Sequence, residues 1–258
     1  MSLQETKEPT LEINGDHLYF QTIGSLDKTK PILIFLHEGL GSIAQWKDFP
    51  ALLCQKTGLS GFLYERKGYG HSSPNLKKRT SLYLHEEAKT LESVLQKTEI
   101  KNPIFIGHSD GGSIALLYKS EIKPKAIVTM AAHVFVEEIT LEGIRKAVDI
   151  YKTTSLSQKL KKYHFDQTDT LFWSWADTWL SKEFKDWNIT KEISHIICPI
   201  LALQGENDEY GTPEQLKAIT KSVVGPVQTQ LIPHCAHSPH LEAKEEVIKI
   251  ISNFIKKL

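Results

Sequence analysis

Apolar and polar positions alternate near the start of the chain and later gather into short unbroken runs. Leu11–Ile13 and His17–Ile23 flank Asn14-Gly15-Asp16, the pattern of a β-hairpin closed by an Asn-Gly turn. Pro31–Leu36 is apolar throughout and predicts a strand buried on both faces. Gly61–Tyr64, Pro103–Ile106, Ala126–Met130, Ile200–Leu203 and Val227–Ile232 predict further strands. Helical spacing lies between them. Ser42–Lys56 opens on a capping serine. Ser81–Lys97 turns Leu82, Leu84, Ala88, Leu91, Val94 and Leu95 to one side. A helix is expected after Gly107–Gly111 as far as about Lys119. Pro213–Lys221 and Leu241–Lys257 follow, the last with Val247, Ile250, Ile251, Phe254 and Leu258 on one face. Strands alternating with helices predict an α/β fold: a mostly parallel, eight-stranded sheet with helices on both faces.

Residues 134–194 break this rhythm, being too long for one crossover. They carry helical patterns at Ile139–Tyr151, Leu156–Tyr163 and Leu171–Leu180, and four of the five tryptophans: Trp173, Trp175, Trp179 and Trp187. The expectation is a helical cap inserted over the carboxyl edge of the sheet, with 1–133 and 195–258 forming the core domain.

Composition narrows the partners. Lys plus Arg equals Asp plus Glu at 31 each, so no charge excess draws nucleic acid or an acidic membrane surface. No stretch approaches the length of a membrane span, and the polar start Met1–Lys7 lacks a signal-peptide apolar core. Cys54, Cys198 and Cys235 are odd in number and far apart, which does not suggest a disulfide framework. The expectation is a cytoplasmic protein acting on a small molecule, with no nucleic-acid or membrane partner; oligomeric state stays open.

Gly107-His108-Ser109-Asp110-Gly111-Gly112 follows directly on the run ending at Ile106. G-x-S-x-G between a strand and a helix sets its middle residue, Ser109, at a strained corner with its side chain presented at the sheet's edge. A serine hydroxyl is a weak nucleophile and needs a base, usually histidine, oriented by a carboxylate. Two later loops supply both. Glu206, Asp208 and Glu209 follow one strand; His234, His237 and His240 follow the next. The residues alone leave these choices open. H-x-x-H-x-x-H beside Cys235 is also a metal-like spacing. His164 and Asp169 form an H-x4-D pair that reads as chance.

Four motifs in order resemble the α/β-hydrolase fold family over nearly the full chain. They are His37-Glu38-Gly39-Leu40-Gly41, Gly107–Gly111, Gly205-Glu206-Asn207-Asp208, and His237 followed by Glu242. The order Ser, acid, His is the order of that family. The resemblance implies Ser109 as nucleophile, Asp208 as orienting acid and His237 as base, without metal or cofactor. A tetrahedral intermediate needs preorganised N–H donors, and the resemblance points to the Gly39 and Asp110 amides. Relatives carry His-Gly where this chain has His37-Glu38, which brings a carboxylate to the site. Asp110, with Glu38, is the candidate partner for a cationic group such as an α-amine beside the scissile carbonyl. The bland alternative for Asp110 is an acidic residue in the first turn, favoured by the helix dipole. Trp173 and Trp175 are candidate walls of an acyl pocket. Glu65–Gly70 resembles the turn that supports the family's oxyanion loop, with Arg66 structural.

The function expected is a serine hydrolase cleaving a carboxylic ester or related acyl bond through an acyl-enzyme. The alternative is carbon–carbon bond hydrolysis of a dienoate-type diketone by the same triad. A non-catalytic ligand receptor on this fold is the rival from another class. Gly39-Leu40-Gly41-Ser42-Ile43-Ala44 also fits a dinucleotide fingerprint, with Glu65 ending the next strand. Glu38 would repel a pyrophosphate there, and Ser109, Asp208 and His237 would go unexplained.

Overall fold

The computed structural model describes residues 9–258; the polar stretch Met1–Lys7 lies outside them. Eight strands form one sheet in the order β1-β2-β4-β3-β5-β6-β7-β8. β1 (Thr10–Ile13) and β2 (Asp16–Ile23) pair antiparallel across Asn14 and Gly15, both at positive φ as an Asn-Gly hairpin requires. β2 then runs antiparallel to β4 (Ser60–Tyr64). β4, β3 (Ile32–Leu36), β5 (Pro103–His108), β6 (Ala126–Met130), β7 (Ile200–Gly205) and β8 (Val227–Ile232) are mutually parallel.

The two-residue period of a strand explains why β3 is apolar throughout. Ile32, Ile34 and Leu36 enter one core; Leu33 and Phe35 enter the other. The first core packs against α2 (Tyr83–Thr98), α3 (Asp110–Leu117) and α7 (Glu214–Ser222). The second packs against α1 (Phe49–Thr57) and α9 (Lys244–Ile255). Helices therefore cover both faces.

Two predicted helices are broken in the structure. Ser42–Lys56 divides into a single 3-10 turn at Ile43–Trp46 and α1. Lys47 between them sits at φ 55°, ψ −133°, outside helical space. A continuous helix would also bury the ring of Pro50 against the preceding turn, so the chain restarts with Pro50 in the first turn of α1. Leu241–Lys257 divides into α8 (Pro239–Glu242) and α9 at Ala243, whose φ −125°, ψ 40° lies outside helical space. Leu82 and Leu258, assigned to buried faces by spacing, are exposed because each lies just outside its helix. α3 ends at Leu117, two residues before the predicted limit.

Between β6 and β7 the chain makes α4 (Glu138–Thr153), α5 (Leu156–His164) and α6 (Thr168–Trp179). This insertion leaves and rejoins the sheet at adjacent points. Phe135 and Asn188 form an antiparallel bridge, Val136 N–H donates to Trp187 O (3.2 Å), and Ile189 N–H donates to Val134 O (2.8 Å). Its apolar side, including Tyr151, Leu160, Phe172 and Trp175, joins the first core and does not form one of its own. No helix among the described residues is long and apolar enough to cross a membrane.

Candidate active site

Parallel strands present the loops at their carboxyl ends to a common edge, where ligands of open α/β sheets bind. Ser109 stands at the end of β5, one residue before α3, at φ 50°, ψ −118°. Its N–H donates to Met130 O at 2.9 Å, which fastens the corner to β6. The flanking glycines answer to close backbone approach. A Cβ on Gly111 would lie 1.9 Å from Leu36 O, and one on Gly107 2.4 Å from Gly111 O.

Asp208 follows β7 and His237 follows β8, and the two meet. His237 Nδ1 donates to Asp208 Oδ1 at 2.8 Å. The same Oδ1 accepts the Tyr210 N–H (2.9 Å), and Oδ2 accepts from Gln204 Nε2 (3.2 Å). Burial pushes the Asp208 carboxyl up, but the hydrogen bond and charge of His237, with the Tyr210 amide, hold it below its ordinary value. Burial pushes the His237 imidazole down. The hydrogen bond and charge of Asp208, then the charges of Glu38 and Glu209, outweigh this and hold it above its ordinary value.

Ser109, Asp110, His237, Glu38, Gly39 and Trp175 line one cavity of about 70 Å³, with Trp179 and Ile144 from the insertion. That is room for roughly five water-sized groups. Trp175 comes so close to Gly39 that a Cβ there would lie 2.5 Å from its Nε1. Trp173 is placed elsewhere, edge-on to Tyr151 and under Lys152 Nζ. Asp110 opens α3, where the first amides of a helix have no intrahelical acceptor. Its carboxylate is engaged: Oδ2 accepts from Tyr83 Oη (2.9 Å) and pairs with the buried Arg66 (3.5 Å). The Glu38 carboxylate makes no hydrogen bond or ion pair among the described residues.

The runner-up residues have other partners. Glu209 accepts the backbone N–H of His237 at 3.2 Å, and Glu206 accepts that of His234 at 3.4 Å. His240 is buried against Trp46 and His108, with ring centroids 4.7 and 4.5 Å away. The Gly39–Ala44 run leads into a 3-10 turn, and its Ile43 N–H is already taken by Glu65 Oε1 (3.1 Å).

Sequence reasoning marked Arg66 as a structural support and Glu242 by its spacing from His237, but passed over the other braces around this site. Glu242 accepts the N–H groups of Ala236 (2.7 Å) and Ser238 (2.9 Å), on either side of His237. His108 Nε2 donates to His237 O at 2.8 Å. Arg66 Nη2 donates to Glu38 O at 2.6 Å, and Tyr69 Oη to Gly39 O at 3.0 Å. The H-x4-E spacing and the Glu65–Gly70 turn were the available signals for Glu242 and Arg66. His108 carried none, because its partner lies 129 residues away. A larger cavity of about 740 Å³, rimmed by Lys101, Lys119, Lys123 and Lys125, lies at the opposite edge and holds none of these groups.

The alpha/beta hydrolase family model matches residues 33–250. Serine hydrolase BPHL of Homo sapiens is 27% identical over 256 residues, covering 95% of this chain and 84% of that protein. A proline iminopeptidase of Lactobacillus helveticus is 22% identical over 299 residues, covering 99% and 98%. Among solved structures, the enol-lactonase from Burkholderia xenovorans LB400 superposes with a TM-score of 0.76 at 15% identity, covering 96% and 100%.

Proposed function

The chain belongs to the alpha/beta hydrolase family, and on that premise we propose that it hydrolyses a carboxylic ester or related acyl bond of a small molecule through a Ser109–His237–Asp208 triad. The observation that carries the reading is convergence. The strained Ser109 and the Asp208-bound His237 open into the same small cavity from the ends of three separate strands.

Each residue then has one task. Asp208 stays ionised and holds the Nδ1–H tautomer, which leaves Nε2 of His237 as the base. His237 takes the Ser109 proton as Oγ attacks the acyl carbonyl. The oxyanion that forms is held by the amides of Gly39 and Asp110. The intermediate collapses, His237 returns the proton to the leaving alcohol, and the acyl group stays on Ser109. A water deprotonated by His237 releases the acid and restores the serine. The insertion serves as a cap, and its Trp175, Trp179 and Ile144 confine the acyl group to a small size.

One observation favours a narrower substrate class. Glu38 lines the cavity with its carboxylate uncommitted, whereas Asp110 is already bound by Tyr83 and Arg66. An acyl group with an α-amine would place its cation against Glu38. The relatives named proline iminopeptidase are consistent with this, since an N-terminal proline carries an amine beside the scissile carbonyl.

The test is hydrolysis of paired aryl esters, one α-aminoacyl and one without the amine. Turnover by the wild type that disappears in Ser109→Ala supports the triad. A preference for the amine that is lost in Glu38→Gln but kept in Asp110→Asn supports the narrower class. Turnover of neither ester would shift the reading to carbon–carbon bond hydrolysis or to a receptor.

A further inference from the structure

His164, the last residue of α5, is fully buried, and both of its ring nitrogens are used. The Gly70 N–H donates to Nδ1 at 3.1 Å. An amide can only donate, so Nδ1 is the bare nitrogen and Nε2 carries the proton. Nε2 lies 2.9 Å from Leu40 O and donates to it. Burial pushes the imidazole's pKa down, in keeping with a neutral ring.

The bond to Leu40 reaches the oxyanion loop through two planar peptides. In a trans peptide the C=O and N–H point in opposite directions. Fixing Leu40 O therefore aims the Gly41 N–H, which donates to Glu38 O at 3.2 Å. Glu38 O is one end of the next peptide, and the other end is the Gly39 N–H. Arg66 and the His37 ring (Nδ1 to Glu38 O, 2.9 Å) hold the same oxygen. Among the described residues, of the side chains bracing the carbonyls of residues 38–40 only His164 comes from the insertion. Gln167 reinforces the contact, donating from Nε2 to Gly70 O (3.1 Å) and Ser72 O (3.2 Å). A second thread runs to the side chain of Asp110, the residue that bears the other amide. Trp179 Nε1, in α6, donates to Tyr83 Oη (2.8 Å), which donates to Asp110 Oδ2 (2.9 Å).

We propose that His164 is a positioning residue for the oxyanion hole, coupling the aim of the Gly39 amide to the seating of the helical insertion. A substrate that draws the insertion down onto the sheet completes the hole; an insertion lifted away releases Leu40 and turns the donor aside. This rests on the reading of Ser109 as nucleophile and of Gly39 and Asp110 as oxyanion donors.

The experiment compares wild type, His164→Ala and His164→Gln in aryl-ester hydrolysis, in affinity for an aryl boronic acid that forms a tetrahedral adduct on serine, and in labelling by a fluorophosphonate. His164→Ala is expected to lose about 10- to 100-fold in kcat with KM nearly unchanged, and boronate affinity by a similar factor. His164→Gln offers an amide donor for Leu40 and an acceptor for Gly70, and is expected to recover most of both. Unchanged kcat in His164→Ala, a loss confined to KM, or a Gln variant no better than Ala would overturn the proposal. Should the Ala variant fail to fold, nitrogen NMR of the wild type decides: a proton on Nδ1 of His164 refutes the coupling, and one on Nε2 upholds it. A wild type that fluorophosphonate does not label overturns the Ser109 reading, and this inference with it. Normal labelling with identical kcat in His164→Ala overturns the positioning role alone.

Discussion

Glu38 brings a negative charge to the site, and three histidines feel it. It favours protonation of His237, and also of His108 and His164, whose buried rings nevertheless stay below their ordinary values. Its effect on His237 has a measurable sign. As the proposed base, His237 must be neutral to act, so kcat/KM is expected to fall as pH drops through a His237 pKa held above the ordinary value. Glu38→Gln removes a negative charge that stabilises the imidazolium. The acid limb of the pH profile is expected to move to lower pH, and a limb that stays put or moves upward would contradict this arrangement. At this scale the proposed triad could be named from the sequence through the family resemblance, since each candidate sits in a local signature, a glycine corner or a strand-ending loop, while the residues alone left the acid and the base open. Asp110 was legible as a residue but not as to its partners, since Arg66 and Tyr83 arrive from 44 and 27 positions away. Trp173 was chosen for its type, and helical geometry turned it toward Tyr151 while Trp175 faced the cavity.

The strand–corner–helix unit of β5 and α3 holds a non-glycine residue at φ 50°, ψ −118°. Such backbone costs on the order of 1–3 kcal/mol and persists only where surrounding structure enforces it. Ser109→Gly should therefore abolish hydrolysis and raise the unfolding free energy by about 1 kcal/mol in denaturant titration. Ser109→Ala, with the same strain, should abolish hydrolysis without that gain. Equal stability of the two variants would mean that the corner is unstrained. All eight strands were legible to within two residues, β3 to β7 because runs buried on both faces leave no competing pattern, and β1 and β2 because an Asn-Gly turn joins them. The broken helices were not. Spacing of apolar side chains continues across Lys47 and Ala243, while the backbone there turns away from helical angles.

The whole molecule carries a store of buried neutral histidines. Burial lowers the pKa of His37, His108, His133, His164 and His240, with nearby positive charge adding to the effect at His37. The unfolded chain binds protons at these positions below about pH 6.5, while the folded chain does not. Stability therefore falls as pH drops below that value, by up to about 1.4 kcal/mol per pH unit for each histidine. His237 works the other way. Its raised pKa adds stability that is complete below about pH 6.5 and is lost as pH rises through the folded value. Five against one predicts a melting temperature that drops steeply between about pH 6.5 and 5. His240→Phe, which removes a ring whose buried Nδ1 has no hydrogen-bond partner among the described residues, should make that drop shallower. A flat profile, or one unchanged in the variant, would show that these rings titrate alike in both states. One further consequence follows from the paired stems of the insertion at Phe135 and Asn188. Entry and exit points that close together let the intervening helices be exchanged as a cassette without altering the register of a single strand. A graft with a different cavity wall would change substrate range. It would need to bring donors of its own for Leu40 O and Tyr83 Oη, and for Gly70 O and Ser72 O, which Gln167 now serves.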